Sequence, residues 1–116
     1  MKLVELAYFT ENVQQMMDFY HALLDAEPVV KSDDMAIFMS GETKIFIHRK
    51  YALPENELPA DHHIAFAVED VDATCEALTQ QGLILEVAPN DYYWGRSAYL
   101  RDPDGHMIEI TKAGTQ

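Results

Sequence analysis

Glu5-Leu6-Ala7-Tyr8-Phe9-Thr10-Glu11-Asn12-Val13 aligns without a gap on His63-Ile64-Ala65-Phe66-Ala67-Val68-Glu69-Asp70-Val71. Further along, Ala36-Ile37-Phe38-Met39 aligns on Ala98-Tyr99-Leu100-Arg101, the second copy being a few residues longer ahead of that segment. An internal duplication constrains the fold more than any other feature of this chain, because whatever the first half builds the second must build again.

Each copy opens with an alternating segment. Val4, Leu6 and Tyr8 share one strand face, and Glu5 lies on the other with Leu3, Ala7 and Phe9. In the second copy Ile64, Phe66 and Val68 share the apolar face, while His63 lies opposite with Ala65 and Ala67. A helix follows each strand, opened by a capping residue, Asn12 or Asp70. The first helix shows Val13, Met16, Met17, Tyr20, Leu23 and Leu24 at helical spacing. The second is weaker, with Val71, Cys75 and Leu78, and stops at Gly82, a C′ glycine. Three short strands are predicted after each helix, near 28–32, 35–40 and 43–49, then near 83–88, 97–102 and 106–112. The expected organisation is one domain over residues 1–116: an α+β fold of two βαβββ modules, about 1–50 and 61–116, with a linker at about 51–60.

Asp102-Pro103-Asp104-Gly105 is a turn with a mechanism. Pro103 presets φ, Gly105 accepts φ > 0, and either aspartate bonds the local backbone. With Ala98-Tyr99-Leu100 before it and Met107-Ile108-Glu109-Ile110 after it, the unit reads as a β-hairpin. Its second strand puts Ile108 and Ile110 on one face and Met107, Glu109 and Thr111 on the other. A carboxylate held mid-strand is expensive unless paired, solvated or bound to a cation. Glu109 needs a partner.

These residues resemble the vicinal oxygen chelate superfamily, which includes glyoxalase I, fosfomycin-resistance enzymes, bleomycin-resistance proteins and extradiol dioxygenases. The motifs are Asp18-Phe19-Tyr20, His63-Ile64-Ala65-Phe66, Trp94-Gly95-Arg96, and Asp102-Pro103-Asp104-Gly105 followed by Glu109. The resemblance implies that the two modules curl into a cup-shaped open barrel with helices outside and the active site inside. It also implies ligand positions at Glu5, Ile47, His63 and Glu109. Ile47 cannot ligate, so three protein ligands are expected. Glu5 departs from a more usual histidine.

Two carboxylates and one imidazole from three strands make a mixed oxygen and nitrogen site suited to Mn²⁺, Fe²⁺, Ni²⁺, Co²⁺ or Zn²⁺, with positions left for substrate oxygens. The opposing reading is that Glu5 and Glu109 are solvated carboxylates with His63 hydrogen-bonded between them. By alternation Phe9, Ile37, Met39, Ile45 and Ile47 line the cup from the first copy, and Tyr99 and Arg101 from the second. Asn90-Asp91-Tyr92-Tyr93-Trp94-Gly95 is placed to fold over its mouth, or to form a satellite cluster or subunit contact. Arg96 or Arg101 is expected either to pair with Glu109 or to grip an anionic substrate.

Composition excludes some classes. The net charge of −12 disfavours nucleic acid and anionic membranes as partners. No run approaches transmembrane length, the chain enters a strand with no leader pattern, and the single Cys75 argues against a disulfide framework. These points favour the cytoplasm. Two function classes follow. One is a glyoxalase-like, metal-dependent enzyme (lyase, isomerase or transferase) on a small oxygenated substrate, with Glu5 and Glu109 in catalytic roles. The other is a metal-free protein of the bleomycin-resistance type that sequesters a cationic or aromatic compound. An extradiol dioxygenase resembles the chain less. A homodimer is expected, because two such modules expose sheet edges that pairing covers.

Overall fold

A computed structural model describes residues 1–51 and 61–114. Its elements are β1 (Lys2–Thr10), α1 (Val13–Leu24), β2 (Val30–Lys31), β3 (Met35–Ser40), β4 (Thr43–Arg49), β5 (His63–Val68), α2 (Val71–Gln80), β6 (Leu85–Tyr92), β7 (Gly95–Arg101) and β8 (Met107–Lys112). The class is α+β and each half is a βαβββ module, as the duplication requires. Most of the expected linker, residues 52–60, lies outside the described residues. Two compact units are distinguished, residues 5–62 and residues 1–4 with 63–116.

In the N-terminal unit the strands run β2-β3-β4-β1. β1 is parallel to β4, and β4 is antiparallel to β3. Helix α1 covers one face. Val13 and Met17 pack there on Ala36, Phe38, Ile45 and Ile47, with Tyr8, Met16, Tyr20 and Leu24 around them. Phe38 is fully buried, and enclosing a side chain of that size contributes about 1.5–3 kcal/mol. The opposite face carries three rows set by the register: Met39, Lys44 and Glu5; Ile37, Phe46 and Ala7; Met35, His48 and Phe9.

The C-terminal unit repeats this with β5-β8-β7-β6. Val71 and Cys75 of α2 pack on Val68, Ala98, Leu100 and Ile110, flanked by Phe66, Leu78, Leu85 and Ile108. The Asp102–Gly105 turn forms as its residues demand. The Asp102 carboxylate accepts from the backbone N–H groups of Asp104 and His106, at 3.0 and 2.9 Å, and Gly105 takes φ 90°. Helix α2 ends as expected of a C′ glycine. Gly82 has φ 95° and its N–H bonds the Thr79 carbonyl, while Leu83 N–H bonds that of Leu78.

Two boundaries differ from expectation. β6 runs on to Tyr92, beyond the expected end at 88, and β7 starts at Gly95. Register shifts between Leu85 and Val87 and between Val87 and Asn90 let the strand absorb Pro89, which lacks an N–H for the ladder. The segment expected to fold over a mouth is therefore strand end plus the two-residue turn Tyr93-Trp94. No helix among the described residues is long and apolar enough to cross a membrane.

The two helix starts differ in a testable way. Asp70 accepts a hydrogen bond from Ala73 N–H at 3.0 Å, whereas the Asn12 side chain makes no cap bond. Asp70→Ala is expected to cost about 1 kcal/mol in urea denaturation, and Asn12→Ala less than about half of that.

Candidate functional site

The C-terminal unit places a charged group where the strand alternation puts it. Glu109 lies on the face of β8 opposite α2, in register with Ala65 on one side and Tyr99 on the other. It is 5 % exposed. Its Oε1 is 3.3 Å from His63 Nε2. Its Oε2 accepts hydrogen bonds from Ser97 Oγ at 2.7 Å and Trp94 Nε1 at 3.2 Å. Ser97 Oγ also lies 3.0 Å from Thr111 Oγ1, and both residues are buried. Burial pushes the Glu109 carboxyl up. The bonds from His63 and Ser97, the imidazole's charge and the indole N–H together outweigh it, so the group sits below the ordinary glutamate range.

Aromatic rings hold these donors in place. Trp94 stacks on Tyr92 with centroids 4.5 Å apart and planes within 3°. Tyr99 meets Tyr92 edge-on at 6.1 Å and His63 at 6.4 Å. The tight turn at Tyr93-Trp94, closed by Gly95 at φ 132°, is what swings the indole back over the sheet toward Glu109.

In the N-terminal unit Glu5 sits on β1 opposite Lys44 of β4, with Lys44 Nζ 3.8 Å from its carboxylate. Both are mostly enclosed, their side chains being 20 % and 18 % exposed. Two rows along, Phe9 is buried against Phe46, His48 and Tyr51. The His48 ring Nδ1 is 2.7 Å from the Arg49 carbonyl.

Several residues read as pocket lining lie elsewhere. Ile45 and Ile47 are in the core under α1, and Ile47 is fully buried there. The duplication explains the slip. Ala65 faces Glu109, its counterpart Ala7 faces Phe46, and so Phe46, not Ile47, occupies the place equivalent to Glu109. Phenylalanine cannot ligate, so the expected count of three protein ligands is unaffected. Arg96 lies on the α2 side of β7. Its guanidinium grips Asp72 of α2 at 2.6 and 2.9 Å and Asp91 at 2.9 Å, and both aspartates hold its pKa above the usual value. Arg101 bonds Glu86 at 3.2 Å and the Gly105 carbonyl at 2.9 Å, bracing the hairpin. The partners of Glu109 are thus His63, Ser97 and Trp94 rather than an arginine. Ser97 and Lys44 went unremarked in the sequence. Their signal was there: polar residues at alternate positions of strands otherwise filled by apolar side chains.

The model of the Glyoxalase/Bleomycin resistance protein/Dioxygenase superfamily matches residues 2–110. The chain belongs to that superfamily. Among its relatives, the uncharacterized protein YraH of Bacillus subtilis is 30% identical over 126 residues, covering 97% of this chain and 98% of YraH. Metallothiol transferase FosB of Staphylococcus saprophyticus is 28% identical, covering 90% of this chain and 72% of FosB. The phenazine antibiotic resistance protein EhpR of Enterobacter agglomerans is 29% identical, covering 88% and 84%. Two solved structures share the superfamily fold. The NAD-dependent benzaldehyde dehydrogenase structure from Legionella pneumophila has a TM-score of 0.72 at 21% identity, covering 93% of this chain and 96% of that one. Methylmalonyl-CoA epimerase from Mycobacterium tuberculosis has a TM-score of 0.66 at 18%, covering 96% and 87%.

The buried carboxylate generates a prediction. A group whose folded pKa is depressed contributes stability above its unfolded value, about pH 4.3, and loses it as pH falls through the folded value. Ser97→Ala removes a donor from an ionised, enclosed oxygen and is expected to cost about 1.5–3 kcal/mol at pH 7 in metal-free protein. Denaturation followed from pH 7 to pH 3 should show the gap between wild type and variant closing below about pH 4.3 as Glu109 protonates in both. A gap independent of pH would mean the loss is one of packing.

Proposed function

We propose that this protein is a divalent-metal-dependent enzyme of glyoxalase type, a lyase, isomerase or transferase acting on a small oxygenated molecule, with Glu5, His63 and Glu109 as the metal ligands. One observation carries the reading: Glu109 is buried, with one oxygen anchored by Ser97 and Trp94 and the other beside His63. Two donors bound at about 2.1 Å to one ion at right or tetrahedral angles stand about 3.0–3.4 Å apart. The 3.3 Å from His63 Nε2 to Glu109 Oε1 suits that spacing. The bonds from Ser97 and Trp94 to the second oxygen are the outer-shell contacts that orient a ligating carboxylate. Glu5 completes the set by the logic of duplication, since it occupies in the first copy the position of His63 in the second. Each of the three offers one ligand atom, and the mixture suits Mn²⁺, Fe²⁺, Ni²⁺, Co²⁺ or Zn²⁺.

A bound ion there supplies Lewis-acid stabilisation of charge developing on substrate oxygens. The protein's own residues do the rest. Glu5 or Glu109, as a ligand, doubles as the carboxylate that takes a proton from substrate. Trp94, Tyr92 and Tyr99 give an aromatic wall beside His63, and Phe9 with Phe46 gives an apolar surface on the face that carries Glu5. FosB, a metallothiol transferase, supports the metal-dependent reading.

A second reading rests on the aromatic wall and on the relative EhpR: a metal-free protein that holds an aromatic or cationic compound against Trp94. Both readings place the protein in the cytoplasm as a homodimer, in line with its single buried thiol, Cys75, and its sheet edges.

Metal-stripped protein is expected to gain several degrees in melting temperature with Mn²⁺, Ni²⁺, Co²⁺ or Zn²⁺, through mass action on the folded state. His63→Ala and Glu109→Ala should abolish the gain. If none of the four ions shifts the wild type, while a phenazine quenches Trp94 fluorescence, the sequestering reading replaces the enzyme. Light scattering at micromolar concentration should return twice the 13.2 kDa chain mass; a monomer mass removes the dimer.

A further inference from the structure

Four of the protein's cationic side chains end at surface carboxylates. Arg49 pairs with Asp34, Arg96 with Asp72 and Asp91, Arg101 with Glu86, and Lys112 with Glu69. These four side chains are 29–50 % exposed. Lys44 differs. At 18 % it is more enclosed than any of them, and its ammonium lies 3.8 Å from Glu5. On β4 its neighbours Ile45 and Ile47 face the core under α1, so Lys44 stands on the opposite face with Glu5, Phe46 and Phe9. A lysine is costly to enclose, and a surface carboxylate would have satisfied it more cheaply.

We infer that Lys44 is a substrate-recognition residue and that it selects a singly charged anion that chelates through neighbouring oxygens. The inference rests on the metal reading above and extends it to the class of substrate. Charge balance leads there. The carboxylates of Glu5 and Glu109 cancel a divalent ion, and a ligating imidazole is neutral. The Lys44 ammonium then leaves one positive charge, which a monoanion neutralises: a hydroxy or keto carboxylate, a phosphonate monoanion or an enolate. Once an ion draws on the Glu5 carboxylate, the ammonium competes poorly for it. Its flexible four-carbon stem then turns to an anionic oxygen of the substrate. The charge of −12 does not oppose this, because charges beyond about 8 Å are largely screened at physiological salt and the group beside the ligand dominates.

The test uses Mn²⁺-loaded protein, with the relaxation of water protons on the ion as readout. Glycolate and glycolamide offer the same pair of neighbouring oxygens and differ by one charge. Each displaces bound water, and the ratio of their affinities is compared with that for Mn²⁺ in buffer. Wild type should favour glycolate over glycolamide by about tenfold more than the aqueous ion does, the size expected of one hydrogen bond between charged groups. Lys44→Met should bring the ratio down to that of the aqueous ion, Lys44→Arg should keep most of the preference, and Mn²⁺ affinity should hold or rise in Lys44→Met. A wild-type ratio equal to that of the aqueous ion overturns the inference whether or not the variants fold. So does a Lys44→Met ratio unchanged from wild type, which would leave Lys44 as a counter-charge for Glu5. If wild type shows no Mn²⁺ relaxation signal before any chelator is added, the metal reading itself falls and this one with it.

Discussion

The C-terminal half is organised around one unfavourable act, the burial of the Glu109 carboxylate. A lone carboxylate in an apolar setting would protonate or open the structure to water. Here one oxygen faces an imidazole and the other collects a hydroxyl and an indole N–H. Those donors come from separate strands and a turn, so holding the charge fixes their relative positions. Ser97 must face the same side of β7 as Tyr99, the Tyr93-Trp94 turn must be tight, and β6 must reach Tyr92 for the ring stack that keeps Trp94 over the carboxylate. The bulges around Pro89 follow from that need for length. A polar network of this kind narrows the arrangements that its strands can adopt.

The N-terminal half shows what the same topology does with different side chains. Where the second copy has His63, Met107 and Glu109, the first has Glu5, Lys44 and Phe46. The second copy meets its buried anion with neutral or titratable donors and aromatic edges. The first meets its own with a full ammonium. The difference is chemical as well as historical. Glu109 accepts a short bond from Ser97 at 2.7 Å, whereas the Lys44 ammonium stands 3.8 Å from Glu5, a distance at which a charged pair is weaker.

Much of this was legible in the sequence because alternation and turn chemistry are local. The gapless match of the two copies implied the repeated βαβββ order. The faces of β1, β5 and β8 followed from residues whose two sides differ sharply in polarity. The hairpin followed from Asp102, Pro103 and Gly105, each acting within its own four residues. The failures share a cause. Ile45-Phe46-Ile47 is apolar on both sides, so period two gives no sign of which side meets the helix, and only packing against Val13 and Met17 decides it. Arg96 looked like a pocket residue because its real partner, Asp72, is remote in sequence and sits on a helix. Ser97 was unremarkable until the strand pairing brought it beside Glu109. The 90–95 segment was misplaced because the strand carries Pro89 through register shifts, and a bulge breaks the period-two pattern that marks a strand.

The superfamily's range, from metallothiol transferases to antibiotic-resistance proteins, is understandable in these terms. In this chain the Trp94–Tyr92 stack offers an aromatic surface under either reading. What separates the two readings is how the polar residues on that face are balanced. Carboxylates fully matched by lysines and hydroxyls leave a closed, neutral surface, fit for holding a flat compound and nothing more. Carboxylates matched by weaker or longer contacts leave charge that a divalent ion satisfies better than the protein does. In this chain each unit carries one such carboxylate. Glu109 is closely bonded at one oxygen and pairs with a titratable imidazole at the other, and Glu5 has a lysine at 3.8 Å. An imidazole gives up a proton to receive a metal, and an ammonium gives up a long ion pair far more readily than a short one. The His63–Glu109 and Lys44–Glu5 contacts are therefore of the kind that an ion displaces, which is the physical reason for preferring the metal-dependent reading.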